Sequence, residues 1–210
     1  MTPPVRLYLA STSPARLATL RAAGIEPIAL APGVDEEAAV AAAGPLTPVE
    51  MVMLLARLKA EAVASEYPEA DGLILGGDSA FELDGVVYGK PHLPDVARDR
   101  WRAQRGRSGV LHSGHWLIDA RADGTGKTLG AAAATTVTFA ADITDAEIDA
   151  YVATGEPLEV AGAFTIDAKG GAYIESINGD PSTVIGLSVP LLRTLTRSLA
   201  IEWHDLWNRS

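Results

Sequence analysis

Apolar residues in this chain come in short blocks, each broken by polar or backbone-restricting residues, and the first block sets the pattern. Residues 5–10 form an apolar run that stops at Ser11-Thr12-Ser13; Pro14 follows, then Leu17, Leu20 and Ala23 at helical spacing, closed by Gly24. That order predicts a strand, a polar turn and a helix, with Ser13 as N-cap and Pro14 in the first turn, where its missing N–H costs nothing. A short strand is predicted at 27–30, then a turn at 31–37 carrying Asp35, Glu36 and Glu37. Thr47 and Glu50 bracket Pro48 as a capping box, opening a helix to about residue 65 with Met51, Leu54, Leu55, Leu58 and Ala62 as its apolar stripe. Lys59 borders that stripe; snorkelling to water is the common outcome for such a lysine, and pointing into a cleft is the alternative.

Residues 72–79 begin apolar and end in Gly76-Gly77-Asp78-Ser79, a strand whose end carries an aspartate. Ligands of α/β sheets gather beyond the carboxyl ends of strands, and glycines there let backbone approach a substrate closely. Runs 80–83 and 86–88 around Asp84-Gly85 predict a hairpin that delivers Gly89-Lys90-Pro91. A helix is predicted over 95–105 and strands over 110–119 and 135–139. A second capping box, Thr144 with Glu147, opens a helix to about 154 that Gly155 stops. Strands at 161–167 and 171–177, a polar loop at 178–183 and a final helix from 189 complete the chain. Elements that alternate first and then turn hairpin-rich predict an α/β fold. The expectation is a mixed β-sheet flanked by helices, one domain over residues 1–210, in two lobes sharing a cleft.

Composition narrows the chemistry. With 210 residues, 48% of them hydrophobic, and no cysteine, the chain can bury a sizeable core but has no disulfide, Cys-ligated zinc or thiol chemistry. The net charge of −10 argues against broad nucleic-acid or anionic-membrane binding. It leaves room for a small polyanion held by a few cations, N–H groups and a metal. Met1-Thr2-Pro3-Pro4-Val5-Arg6 has no long apolar segment behind a basic one, so no leader is expected, and no apolar run approaches the ~18 residues of a membrane span. Arg98, Arg100, Arg102, Arg105 and Arg107 spread around their helix and are interrupted by Asp99, which reads as a solvated face. His112 and His115, three apart on a strand, face opposite sides and do not share a metal. The stretch 123–128, Asp-Gly-Thr-Gly-Lys-Thr, has Arg121 where a P-loop needs glycine and sits between strands, so it reads as a hairpin loop.

Two stretches keep a bland and a chemical reading open. Ser11, Ser13 and Arg16 at a helix start are either a helix cap with a surface arginine or a phosphate cradle, since unpaired N–H groups and partial positive charge favour anions there. The carboxylates at 35–37 are either solvated or ligands of Mg²⁺, which takes one or two carboxylates with substrate phosphates and water.

Taken in order, four blocks resemble the Maf family of nucleoside triphosphate pyrophosphatases over nearly the whole chain. They are residues 9–16 (Leu-Ala-Ser-Thr-Ser-Pro-Ala-Arg), 34–37 (Val-Asp-Glu-Glu), 76–79 (Gly-Gly-Asp-Ser) with 89–91 (Gly-Lys-Pro), and a C-terminal run. That run comprises 151–157 (Tyr-Val-Ala-Thr-Gly-Glu-Pro), 161–163 (Ala-Gly-Ala) and 179–187 (Gly-Asp-Pro-Ser-Thr-Val-Ile-Gly-Leu). The resemblance implies an inosine-triphosphatase-like fold, two lobes around a nucleotide cleft. It implies an enzyme dependent on a divalent metal, Mg²⁺ or Mn²⁺, that splits nucleoside triphosphates between the α and β phosphates. It also implies clearance of non-standard or surplus nucleotides, a link to arrest of cell division, a cytoplasmic location and a homodimer, with no stable nucleic-acid or membrane partner. By position, Ser11, Ser13 and Arg16 match its phosphate-binding loop, Glu36 a catalytic acidic residue, Lys59 a cleft lysine, Asp78 the general base and Lys90 a strand-end lysine. Ser79 joins the substrate-binding set, and Glu36, with Asp35 beside it, and Asp78 are the implied metal ligands. Two positions depart from the family pattern: Ala15 stands where many members have a first arginine, and Asp167 where members specific for thymidine and uridine triphosphates have glutamine. A carboxylate only accepts hydrogen bonds, so Asp167 suits a base edge rich in N–H donors, such as guanine or cytosine. The competing readings are a pyrophosphatase aimed at modified purine nucleotides and a non-catalytic nucleotide-binding regulator of septation.

Overall fold

The structure, a computed structural model, describes residues 4–209; residues 1–3, on which part of the leader reading rests, lie outside the described residues. Among the described residues the strands are β1 (Leu7–Ala10), β2 (Ile28–Leu30), β3 (Leu73–Leu83), β4 (Val86–Tyr88), β5 (Ser108–Asp119), β6 (Thr128–Phe139) and β7 (Ile174–Asn178). The helices are α1 (Pro14–Ala22), α2 (Glu36–Ala43), α3 (Pro48–Glu66), α4 (Pro94–Gln104), α5 (Asp145–Ala153), α6 (Pro181–Ile185) and α7 (Val189–Arg197). The seven strands make one mixed sheet in the order β2-β1-β3-β5-β6-β7, with β4 added to β3. β1 is parallel to β2 and β3, whereas β4 is antiparallel to β3 and β7 to β6. None of the described helices is long and apolar enough to cross a membrane.

The chain divides into two compact units, one holding the described residues up to Asp78, Ser113–Ala133 and those from Gly186 on, the other Ser79–His112 and Ala134–Ile185. In the first, the period of two along β1 and β3 sends Leu7, Leu9, Leu73 and Leu75 into a core with Leu20, Leu187, Leu192 and Leu195 from the α1 and α7 side. Ala10 and Ile74 alternate to the opposite face, where Ala60 and Val63 of α3 cover them. The buried face of α3 is Val52, Leu55, Ala56, Lys59, Ala60 and Val63, which corrects the expected stripe of Met51, Leu54, Leu55, Leu58 and Ala62; of these only Leu55 is buried. Close approach explains the rotation: a Cβ on Gly76 would lie 2.0 Å from the Ala56 carbonyl oxygen, and one on Gly114 would lie 2.4 Å from that of Val52. The helix presents its small residues because it lies almost backbone to backbone on strand glycines. Gly76→Ala is therefore expected to destabilise the protein by about 1–3 kcal/mol, the scale of overpacking, as read by urea denaturation.

Three further expectations are corrected in or beside this unit. The turn at 31–37 ends at Asp35, whose carboxylate accepts from Ala38 N (3.0 Å) and starts α2; Glu36 and Glu37 are its first turn, where carboxylates are favoured. β3 does not end at the glycines but continues through Asp78 to Leu83. β6 begins at Thr128 rather than 135, because the alanine run is paired beside the twelve-residue β5, and ladder pairing overrides its helical preference. The loop at 123–128 is a hairpin closure: the Asp119 carboxylate accepts from Thr125 N (2.8 Å) and Arg121 Nε (2.8 Å), which holds its pKa well below the usual aspartate range.

The second unit is built around edge-to-face rings, Trp101 against Phe139 and Tyr151, and Phe164 against Phe81 and Phe139, with centroids 5.0–5.6 Å apart. The β3–β4 hairpin turns at Asp84-Gly85, both at positive φ, as expected. The arginines near α4 are matched locally: Arg98 by Asp95 (2.6 Å) and Asp149 (2.8 Å), Arg105 by Asp145 and Arg107 by Asp84. The expected strand at 161–167 is absent. Gly162 (φ +72°) and Ala163 (φ +64°) break the extended backbone, and their carbonyls accept side-chain donors, Gln104 Nε2 at 2.6 Å and Trp101 Nε1 at 2.7 Å, in place of a ladder. Residues 169–173 likewise form a 3-10 turn, so β7 starts at Ile174 rather than 171. The loop at 178–183 closes into the short α6.

Glu156 organises the segment that replaces the strand. Its Oε1 accepts from Thr165 Oγ1 (2.6 Å), Tyr151 OH (2.9 Å) and Gly170 N (3.0 Å), and Oε2 from Lys169 N (3.3 Å). Burial raises its proton affinity, but these donors outweigh that and lower the folded pKa. A carboxyl with a depressed folded pKa contributes stability that is fully present above its unfolded value, about 4.3, and is lost as pH falls through the folded one. Glu156→Gln is thus expected to lose about 1.5–3 kcal/mol at pH 7, with the gap to wild type narrowing near pH 3; urea titrations at the two pH values check it.

Candidate active site

Six of the residues singled out from sequence lie in the first unit, where β1, α1, α2, α3 and β3 carry them. β1 ends at Ala10, opposite Gly76, so Asp78 stands on β3 beyond the carboxyl end of its parallel neighbour. Alternation turns Asp78 to the same face as Ile74 and Gly76, the face α3 covers. There Lys59 Nζ lies 2.7 Å from Asp78 Oδ1 and 2.8 Å from Glu36 Oε1. Lys59 is 5% exposed and Asp78 8%, so the lysine does not snorkel; its stem is in the helix face and its ammonium binds two carboxylates. The Glu36 side chain, at the start of α2, remains half exposed.

Arg16 approaches from the opposite side of the strand. It is 9% exposed, and a Cβ on Gly77 would lie 3.3 Å from its Nε, so the glycine leaves it room. Nε donates to the Gly186 carbonyl (2.8 Å) and Nη1 to Ser11 Oγ (3.1 Å), while Ser11 Oγ also accepts from Ser13 N (3.2 Å). Ser13 Oγ accepts from Arg16 N (3.4 Å) and caps α1. Cap and cradle readings are therefore not exclusive, because the hydroxyl that caps the helix also sets where the arginine begins.

Charge and burial oppose each other here. Loss of hydration raises the proton affinity of Asp78 and outweighs the stabilising charges of Lys59 and Arg16; Glu36 adds in the same direction. Burial lowers the pKa of Arg16, against the pull of Asp78 and Glu36. Arg16, Lys59, Glu36 and Asp78 thus share one electrostatic environment.

Two hard carboxylate oxygens converge within hydrogen-bond distance of one ammonium, and no group of three or more His, Cys, Asp or Glu side chains that could hold a metal occurs among the described residues. That donor set does not make an all-protein cage. It fits an ion such as Mg²⁺, which takes one or two carboxylates and completes its shell with phosphate oxygens and water. Asp35 is engaged in capping α2, and the lysine reaches Glu36 instead.

Ser79, Lys90 and Asp167 belong to the second unit. Ser79 follows Asp78 on β3 and alternates to the other face. Lys90 is exposed after β4, next to Gly89, whose carbonyl accepts from Arg100 Nη1. Asp167 is exposed in the segment between Thr165 and Gly170 that Glu156 holds. Sequence reasoning missed the Gly186 carbonyl, since a backbone acceptor distant in the chain leaves no residue-type signal.

The fold and these side chains define an α/β protein with a charged site at the carboxyl end of a parallel strand pair. The chain belongs to the Maf-like protein family, whose model matches residues 6–199. It is 65% identical over 212 residues to a protein of Leifsonia xyli subsp. xyli named nucleoside triphosphate pyrophosphatase, covering 98% of each chain. A protein of Salinispora tropica with the same name is 52% identical, over 98% of this chain and 89% of its own. Among solved structures, the Staphylococcus aureus Ham1 protein overlays with a TM-score of 0.48 at 13% identity, covering 92% of this chain and 98% of its own.

Proposed function

We propose that this protein is a hydrolase that cleaves nucleoside triphosphates between the α and β phosphates, releasing the monophosphate and pyrophosphate. The observation that carries the reading is the convergence of Glu36 and Asp78 on the buried Lys59 ammonium. The names borne by relatives at 65% and 52% identity support it.

Attack of water on the α phosphorus needs a proton acceptor, and cations must meet the charge growing on the pyrophosphate. Asp78 accepts the proton of the attacking water at Oδ2 while Lys59 holds Oδ1 and fixes the plane of the carboxylate. Its raised proton affinity suits this, because a base is most effective when its pKa approaches the working pH. Arg16, held through Nε and Nη1, presents a fixed guanidinium to phosphate oxygens, and the start of α1 adds its partial positive charge. When bound, Mg²⁺ or Mn²⁺ would be held by Glu36 and Asp78 and would offset phosphate charge. For Ser79, Lys90 and Asp167 the reading rests on the family resemblance: substrate contact, charge on the leaving group, and a base edge with N–H donors. Clearance of non-standard or surplus nucleotides in the cytoplasm, by a homodimer, rests on it too.

The test is product analysis with Mg²⁺ and a panel of common and modified triphosphates. Monophosphate and pyrophosphate in equal amounts are expected, with guanine or cytosine nucleotides preferred. Diphosphate with orthophosphate would overturn the reaction, and preference for dTTP and UTP would overturn the role of Asp167 alone.

A further inference from the structure

His115 on β5 is buried (1% exposed), and the mechanism above makes no use of it. Its Nε2 lies 2.9 Å from Ser188 N, and its Nδ1 lies 3.2 Å from the Ser113 carbonyl oxygen. A backbone N–H only donates and a carbonyl only accepts, so the bonding fixes one tautomer: Nδ1 carries the proton and Nε2 accepts. Ser188 is also the N-cap of α7, its Oγ accepting from Leu191 N (3.2 Å). The imidazole therefore ties the backbone at the very start of α7. Two residues earlier stands Gly186, whose carbonyl accepts the Arg16 Nε–H at 2.8 Å.

We propose that His115 is a positioning residue for the phosphate-binding arginine. It fixes the turn through the Ser188 N–H, the turn fixes the Gly186 carbonyl, and the carbonyl fixes the guanidinium against Ser11. All five residues lie in one compact unit. Leu187, between Gly186 and Ser188, is buried in the core of this unit, so a bond that fixes the Ser188 backbone is passed on through one anchored residue to the Gly186 carbonyl. A planar ring locked by a strand carbonyl on one side is a rigid peg for it. Preorganised charge is effective only when it does not have to reorient as the reaction proceeds, which is what the peg supplies. The inference rests on the role given to Arg16 under Proposed function.

The experiment compares wild type with H115L, H115Q, R16A and the H115L/R16A double variant. It reads kcat/KM for pyrophosphate release and, by NMR, hydrogen exchange of the Arg16 Nε–H. Relative to wild type, R16A is expected to lose about 10²-fold, the scale of one preorganised donor, and H115L about tenfold. H115Q, whose side-chain oxygen accepts near the position of Nε2, should recover to within two- or threefold. The double variant should equal R16A, because a residue that acts through Arg16 has nothing left to position. Exchange of the Arg16 Nε–H should quicken about tenfold or more in H115L and return towards wild type in H115Q. Multiplicative losses in the double variant, unchanged Nε–H exchange in H115L, or H115Q as impaired as H115L would overturn the inference. Failure of both H115L and H115Q to fold would overturn it too, since a peg for one turn is dispensable for the fold. If R16A keeps wild-type activity, the function given to Arg16 fails instead, and the exchange measurement still decides whether His115 holds it.

Discussion

Asp78→Asn is expected to leave the protein folded and to reduce pyrophosphate release by about 10³-fold or more, near the upper range for loss of a positioned general base. Asparagine has the same shape, and its carbonyl can accept from Lys59 as Oδ1 does at 2.7 Å, but it takes no proton at neutral pH. The fold tolerates the change because burial already disfavours charge at this position. Lys59 also keeps Glu36 at 2.8 Å, so its ammonium is not left without a carboxylate. The measurement is steady-state pyrophosphate release beside a thermal melt. Activity near wild type in a protein with an unchanged melt would remove Asp78 from the chemistry.

Lys59→Met carries the second large effect, on stability and activity together. The ammonium is the shared partner of two carboxylates, one of them buried. Breaking a buried ion pair from one side costs about 3–5 kcal/mol, because the remaining charge has lost both water and its counter-ion. Without Lys59 nothing offsets its share of the burial effect on Asp78, so the proton affinity of that carboxyl rises further. Activity should fall about 10²- to 10³-fold, as for removal of a charge donor from a preorganised site. The distinguishing outcome is in the double variant: Lys59→Met with Asp78→Asn should be more stable than Lys59→Met alone, since the second change removes the stranded charge. Urea denaturation of the four proteins tests it, and additive losses would mean the pair is not coupled.

The local signals that proved legible were those encoded within a few residues. Ser13 before Pro14, the capping boxes at Thr47 and Thr144, and the Asp84-Gly85 hairpin all satisfy their backbone groups locally, so nothing distant could redirect them. The charged side chains that meet in the first unit were also recognisable by type and order. Their meeting was not, because Glu36, Lys59 and Asp78 come from a helix start, a helix face and a strand.

Where local reading failed, a long-range contact had outweighed a local preference. The bulky stripe of α3 gave way to the alanine side because Gly76 and Gly114 admit a closer helix. The 161–167 run gave up its strand because Trp101 and Gln104 side chains satisfied its carbonyls and Glu156 gathered the residues that follow. For Lys59 the local pattern left both snorkelling and a cleft position open, because a lysine stem on a helix face reaches water unless carboxylates meet it inside.

By itself the amino-acid order determined the α/β class, the caps and turns, and which residue types were available for phosphate chemistry, because each depends on neighbours within one turn or one strand. Only the tertiary structure decided that Lys59 is buried between two carboxylates, that Arg16 Nε donates to the Gly186 carbonyl, and that His115 Nε2 accepts the Ser188 N–H. Burial and the direction of a backbone carbonyl are set by what packs from elsewhere in the chain, and residue type does not encode them.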